Sequence, residues 1–244
     1  MKKLEVKNIN KSFEDKPVLK DISIELGTGE LVSLLGVSGS GKTTLFNVIS
    51  GLLKPDSGEV FLDGKNITNN PGHISYMLQK DLLLPYKTIQ DNVALPLVLK
   101  GMKKKEARAN VSSMLTQFGL EGNERKYPAE LSGGMRQRAA LLRTYMFSRE
   151  VALLDEPFSA LDTITKTLMH KWYMDVMEEI KLSTLFVTHD IDEAIFLSDR
   201  IYILSGSLGE IVGEIEIKES RQHREDFNLT VEFLEYKRRI LSML

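Results

Sequence analysis

The octapeptide Gly36-Val37-Ser38-Gly39-Ser40-Gly41-Lys42-Thr43 constrains this chain more than any other feature. It fits the pattern G-x-x-x-x-G-K-[ST]. Before it runs a short, nearly continuous apolar stretch, Leu31-Val32-Ser33-Leu34-Leu35, and from Lys42 to Leu53 the apolar residues fall at helical spacing. Strand, glycine-rich loop and helix in that order form a phosphate cradle. Glycines let the backbone curl until its N–H groups face the anion. The helix beginning near Lys42 aims the positive end of its dipole at the same place. Lys42 is placed to reach the β- and γ-phosphates, and the Thr43 hydroxyl is a ligand for Mg²⁺. Thr44 follows directly and completes the expected contact set from Gly36 to Thr44.

A second acidic element fits the same chemistry. Val151-Ala152-Leu153-Leu154-Asp155-Glu156 is an apolar strand ending in two carboxylates. Asp155, at the strand's carboxyl end, is suited to holding Mg²⁺. Glu156, one residue on, points elsewhere and is the candidate to polarise an attacking water. These two elements imply a nucleoside triphosphate and Mg²⁺ but leave kinase, GTPase and motor ATPase open. No guanine-reading N-K-x-D segment accompanies them.

Around these motifs the chain reads as α/β, with a mainly parallel sheet joined by right-handed crossovers. Leu4–Ile9 and Ile22–Leu26 alternate with period two, and Val60–Leu62 and Ile74–Met77 are further strand candidates. From about residue 90 to 147 the pattern turns helical, with Ala107, Val111, Met114, Leu115 and Phe118 on one stripe, as in a helical lobe inserted into the α/β unit. The rhythm then resumes as strand 151–154, helix 163–180, strand 184–188, helix 191–197 and strand 201–204. Leu168, Trp172, Val176 and Ile180 fall at four-residue steps and predict one buried helix face. Residues 218–226 read as a charged linker, and 231–244 as an amphipathic helix with Phe233, Leu234, Ile240, Leu241 and Leu244 apolar. The expected organisation is a single domain. Its core with a β part covers 1–89 and 148–217, its helical subdomain 90–147, and its linker with the C-terminal helix 218–244.

Composition bounds the function. Net charge is −2, from 32 basic and 34 acidic residues, which gives no electrostatic case for a nucleic-acid partner. There are no cysteines, so thiolate metal sites and cysteine nucleophiles are excluded. No apolar run approaches the ~20 residues that span a bilayer. The start, Met1-Lys2-Lys3-Leu4-Glu5, lacks the apolar core of a signal peptide. A soluble, cytoplasmic chain is the expectation.

The segment Leu131-Ser132-Gly133-Gly134-Met135-Arg136-Gln137-Arg138 resembles the signature of ABC-type ATPases, and other pieces follow in that family's order. Gln79 follows the strand 74–77, Ser159-Ala160-Leu161-Asp162 comes after Glu156-Pro157, and Thr188-His189-Asp190 ends the next strand. Phe13, with Val18 after it, stands where the family puts an aromatic ring against adenine. The resemblance runs from about Phe13 to Leu204. It implies that two chains pair head to tail around two ATPs. Ser132, Gly133 and Gly134 of one chain then close on the γ-phosphate held by Lys42 of the other. It further implies that His189 contacts the γ-phosphate and positions water near Glu156, that Gln79 touches Mg²⁺ or the water, and that Asp162 meets the opposite phosphate loop. Leu141-Leu142-Arg143-Thr144-Tyr145 and Arg149 depart from the family's usual L-A-R-A-L and proline, at positions read here as packing.

Within the family, Leu83-Leu84-Pro85-Tyr86-Lys87-Thr88-Ile89-Gln90-Asp91-Asn92-Val93 is similar to a segment of the nitrate/sulfonate/taurine importer branch, which also includes importers of thiamine-related pyrimidines. The tail from Phe233 to Ile240 resembles that branch's ending. The resemblance therefore implies an importer ATPase peripheral to the cytoplasmic face of the cell membrane. Its expected partners are a second ATPase chain, membrane permease subunits docking near Lys80–Tyr86, and an extracellular solute-binding protein. Exporter ATPases and soluble members without a membrane partner remain the alternatives.

Overall fold

The computed structural model describes residues 2–14, 16–204, 206, 208–224 and 226–244. Two sheets build it. The first is antiparallel, with strands β1 (Lys2–Phe13), β2 (Lys16–Gly27), β4 (Ser57–Leu62) and β5 (Lys65–Asn66) in the order β2-β1-β4-β5. The second has six strands in the order β10-β9-β3-β8-β7-β6. They are β3 (Leu31–Gly36), β6 (Ser75–Met77), β7 (Val151–Asp155), β8 (Ser183–Thr188), β9 (Arg200–Leu204) and β10 (Ile211–Glu216). Strands β9, β3, β8, β7 and β6 run parallel, and β10 closes the edge antiparallel to β9.

Burial explains the strand sequences. Every residue of β3, β7 and β8 is buried, because both faces of the parallel sheet are covered, so these strands read as continuous apolar runs. Their registers bring Leu35 opposite Thr188 and Asp155 opposite Val187, so the ends of β3, β7 and β8 lie side by side. Ligands of open α/β sheets gather at such carboxyl ends.

Seven α-helices are described: α1 (Lys42–Ile49), α2 (Ile89–Leu99), α3 (Lys104–Gln117), α4 (Gly133–Phe147), α5 (Thr163–Ile180), α6 (Ile191–Leu197) and α7 (Val231–Leu241). The expected stripe on α3 is inward, with Ala107, Val111, Leu115 and Phe118 fully buried. Asp91, in the first turn of α2, pins α3 by accepting from the Arg108 guanidinium at 2.7 and 2.9 Å.

Three expectations need correction. Helix α1 stops at Ile49 rather than Leu53, since Gly51 takes φ +77° with its Cα against the Asn70–Pro71 backbone. The buried face of α5 is Met169, Tyr173, Val176 and Met177, whereas Leu168 is 64% exposed and Trp172 and Ile180 are half-buried. Among its described residues the expected charged linker 218–226 is exposed or half-buried except at Arg224. Arg224 within it is fully buried and donates to the carbonyls of Glu219, Phe196 and Ser198, and that burial pushes its pKa down to about 10. Glu225, in the same stretch, lies outside the described residues, as does Met1 in the opening pentapeptide. Helix α7 ends at Leu241 rather than Leu244, burying Phe233 and Ile240 and leaving Leu234 and Leu241 about half exposed. Strand β10 was not expected, although Gly213-Glu214-Ile215-Glu216-Ile217 alternates with period two, Ile215 and Ile217 buried and Glu214 and Glu216 exposed.

Candidate functional site

The loop between β3 and α1 is shaped by what surrounds it. Gly41 has φ +92°, and a Cβ there would stand 2.9 Å from Leu19 Cδ2 and 3.1 Å from the Val18 carbonyl. Both the dihedral and the space demand glycine. The loop wraps the Lys42 side chain, whose ammonium donates to the Gly36 carbonyl at 2.8 Å and the Val37 carbonyl at 2.7 Å. Lys42 is 6% exposed, and burial lowers its pKa against the opposing pull of Glu156 and Asp155. A desolvated cation at a helix N-terminus is a strong anion site. The Ser40 hydroxyl is buried in the same loop with no hydrogen-bond partner among the described residues.

Asp155 ends β7 and is buried. It accepts from the Thr43 hydroxyl at 3.2 Å and from the Tyr76 hydroxyl at 3.4 Å. Burial is the main cause that raises its carboxyl above the usual range, with Glu156 adding to it. Such a carboxylate, next to a hydroxyl oxygen, is suited to a hard divalent cation, which would relieve the desolvation. Burial and the nearby Asp155 also push the Tyr76 phenol up. Tyr76 was absent from the sequence-based site, where its only signal was membership of a strand.

Glu156 has the left-handed backbone angle φ +47°, and its N–H donates to the Val187 carbonyl at 3.1 Å. A non-glycine residue in that region is strained, and such strain persists where the surroundings impose it. Here it aims the side chain at two neighbouring loops. One carboxylate oxygen lies 3.2 Å from His189 Nδ1, after β8, and the other accepts from the Gln79 amide at 3.0 Å, after β6. The Ser159 hydroxyl donates to the Glu156 carbonyl at 3.0 Å. Three strand ends thus converge on one carboxylate.

These groups border a cavity of about 710 Å³. Of the expected residues, Val18, Gly36, Val37, Ser38, Gly39, Gly41, Lys42, Thr43, Thr44, Gln79, Asp155, Glu156 and His189 line it, and Leu35, Ile191 and Leu244 line it unforeseen. Phe13 does not line it. Its ring, at the tip of the β1–β2 hairpin, is 46% exposed, with the Lys11 ammonium 5.4 Å from the ring centre.

Ser132, Gly133, Gly134 and Asp162 are also outside this cavity and form a second cluster. Ser132 caps α4, its hydroxyl accepting from the Met135 N–H at 3.3 Å, and Asp162 caps α5 by accepting from the Thr165 N–H at 3.0 Å. A Cβ on Gly133 would lie 3.6 Å from Leu161, so the two helix starts adjoin. Gln137 of α4 donates to the Pro157 carbonyl, tying this cluster to the turn that carries Glu156. One chain therefore presents a cavity and, separately, an exposed pair of helix starts.

The segment after Gln79 divides. Leu83 is buried, Leu82 and Tyr86 are 52% and 72% exposed, and Leu84 is half-buried. Leu82 and Leu84 line a groove of about 440 Å³ together with Leu52, Pro96, Leu99 and Phe147, and Tyr86 stands outside it. Two side chains shape the segment. The Asn92 amide accepts from the Leu84 N–H and donates to the Leu84, Lys87 and Thr88 carbonyls, and the Arg143 guanidinium donates to the Asp81 and Leu82 carbonyls. Arg143, read from sequence as packing, is a buttress for this loop. Among the described residues no helix is long and apolar enough to cross a membrane.

Known proteins resemble this chain in sequence and fold. Residues 19–159 match the ABC transporter family. The formylaminopyrimidine import ATP-binding protein of Halalkalibacterium halodurans is 48% identical over 189 residues, covering 78% of this chain and 74% of that one. The nitrate import ATP-binding protein of Synechocystis sp. is 38% identical over 99% of this chain and 94% of its own length. Both fall in the importer branch that residues 83–93 resemble. A dimeric ATP-binding cassette in a post-hydrolysis state, bound to ADP and Pi, superposes with a TM-score of 0.73 at 31% identity, covering 89% of this chain and all of that one. A family match over more than half the chain, relatives along almost its whole length and a shared cassette fold lead to one conclusion: this protein belongs to the ABC transporter family.

Proposed function

We propose that this chain is the ATP-binding and ATP-hydrolysing subunit of an ABC importer, powering solute uptake through separate membrane subunits by closing as a dimer around ATP. The observation that carries the reading is Glu156, held between Gln79 and His189 at the rim of a cavity that also contains Lys42. Lys42 and the loop N–H groups bind the phosphates. Glu156 takes the proton of the attacking water, Gln79 and His189 fix the direction of its carboxylate, and His189 reaches the γ-phosphate. Thr43, Asp155 and Gln79 would hold Mg²⁺, whose charge neutralises the phosphate oxygens. Phe13 and Val18 would meet the adenine.

The half-site formed by Ser132, Gly133, Gly134 and Asp162, beyond capping α4 and α5, meets no phosphate loop of its own chain, since it lies apart from the cavity. A second copy would supply one, Ser132 and Gly134 closing on the phosphate held by the partner's loop. The groove at Leu82 and Leu84 suits a short permease helix, in the helix-in-groove manner. Nearby Gln79 would then couple docking to the γ-phosphate. A peripheral place on the cytoplasmic face of the membrane, with an extracellular binding protein in the same system, follows from the importer reading.

Steady-state hydrolysis by Glu156→Gln tests the proposal. Removing a positioned base lowers turnover by ~10²–10⁴, while ATP binding is kept. Turnover close to that of the unsubstituted chain would remove Glu156 from its role.

A further inference from the structure

Asp162 and His189 lie at the starts of different helices, yet one residue, Lys166, links the two turns through its backbone N–H and its ammonium. Lys166 sits in the first turn of α5, its N–H donating to the Asp162 carbonyl at 2.8 Å. Its ammonium lies 2.7 Å from Asp190 Oδ2 and 3.2 Å from Glu193 Oε2. The other Asp190 oxygen caps α6, accepting from the Asp192 and Glu193 N–H groups at 3.0 and 3.2 Å, and the Asp190 N–H donates to the Thr188 hydroxyl at 3.0 Å. His189 is therefore suspended between Thr188, paired within the sheet, and Asp190, held by Lys166.

We infer that Lys166 is a positioning residue for ATP hydrolysis, fastening the Ser159–Asp162 turn to the His189 turn so that a second copy arriving at Asp162 sets the His189–Glu156 contact. The inference rests on the roles proposed above for His189, Glu156 and the dimer. Charge explains why a cation is needed. Glu193 is 3% exposed and Asp190 is half-buried, and the ammonium is the group that both carboxylates share. Glu193 keeps a second partner, His170 Nε2 at 3.1 Å, so it is not stranded when Lys166 is replaced. Among the described residues Asp190 pairs with no other cation, and its turn is the one that loosens. Lys166 does not line the 710 Å³ cavity, so its loss should leave ATP binding alone.

The test uses the full chain with Lys166→Met, Lys166→Arg and Asp190→Asn, measuring kcat, KM for ATP and thermal melting. Methionine keeps the stem and removes the charge, whereas asparagine keeps an oxygen to cap α6. A misplaced reacting group costs up to about a hundredfold, so kcat should fall about 10- to 100-fold in Lys166→Met and Asp190→Asn. KM should stay within about twofold, because ground-state binding is untouched. Lys166→Arg should recover most of the turnover. Should Lys166→Met lose its fold, Asp190→Asn is read alone. A lower melting temperature with kcat unchanged, or a loss that appears in KM, would overturn the inference while leaving the proposed function standing. An unsubstituted chain that hydrolyses no ATP would overturn both.

Discussion

At Phe13 the family resemblance and the geometry part company. The ring is nearly half exposed at a hairpin tip and does not border the cavity, although Val18, five residues on, does. An exposed ring contributes little to folding, and this one has a lysine over its face. If adenine stacks there, Phe13→Ala should weaken ATP and GTP about equally, by about 1–3 kcal/mol, with thermal stability unchanged. Titration with fluorescent ATP and GTP analogues measures this. Equal affinity of variant and parent would exclude Phe13 from the site. Glu156 shows the opposite case. The sequence names its neighbour Asp155 and its place after a buried strand, but its left-handed backbone and its pairing with Gln79 and His189 depend on three loops meeting.

Elements whose sequence repeats a local physical rule were legible. Strands β3, β7 and β8 are buried on both faces, and their apolar runs end in the phosphate loop, Asp155 and Thr188. Helix α5 was found with its limits but turned the wrong way. Four-residue spacing did not decide the facing, since the buried Met169, Tyr173 and Met177 repeat it one position, about 100°, on from the expected stripe. Burial follows Met169, Tyr173 and Met177 because the sheet and α4 approach from that side. Arg224, Arg143 and Asn92 were illegible for a shared reason: each bonds to backbone carbonyls from other segments, and carbonyls carry no sequence signal. Between α2 and α3 the ion pairs are measurable. The hydrogen bond from Arg108, with Lys104 helping against burial, holds the Asp91 carboxyl down to about 2. The depressed value means stability that is fully present above the ordinary aspartate range and lost as pH falls from about 4 towards 2. Asp91→Asn should cost about 1 kcal/mol at pH 7, the Arg108 side being half solvated, and should flatten that acid limb. Urea unfolding across the pH range measures both effects, and an unchanged acid limb would contradict the assignment.

The whole molecule is two incomplete surfaces on one chain. The cavity holds the groups proposed to bind phosphate and activate water, and the adjoining starts of α4 and α5 carry Ser132, Gly133, Gly134 and Asp162 elsewhere. The five parallel strands of the second sheet, with their carboxyl ends aligned, fix the first, and packing of Gly134 against Thr165 and Met169 fixes the second. The two surfaces lie apart within one chain, and on the proposed function nucleotide and a second copy complete them together. The direct measurement is the mass in solution of the Glu156→Gln chain, by light scattering, with and without ATP and Mg²⁺. The account predicts one chain without ATP, two chains with it, and one chain in both conditions once Lys42→Ala is added. A Glu156→Gln chain that binds ATP and remains single would contradict it.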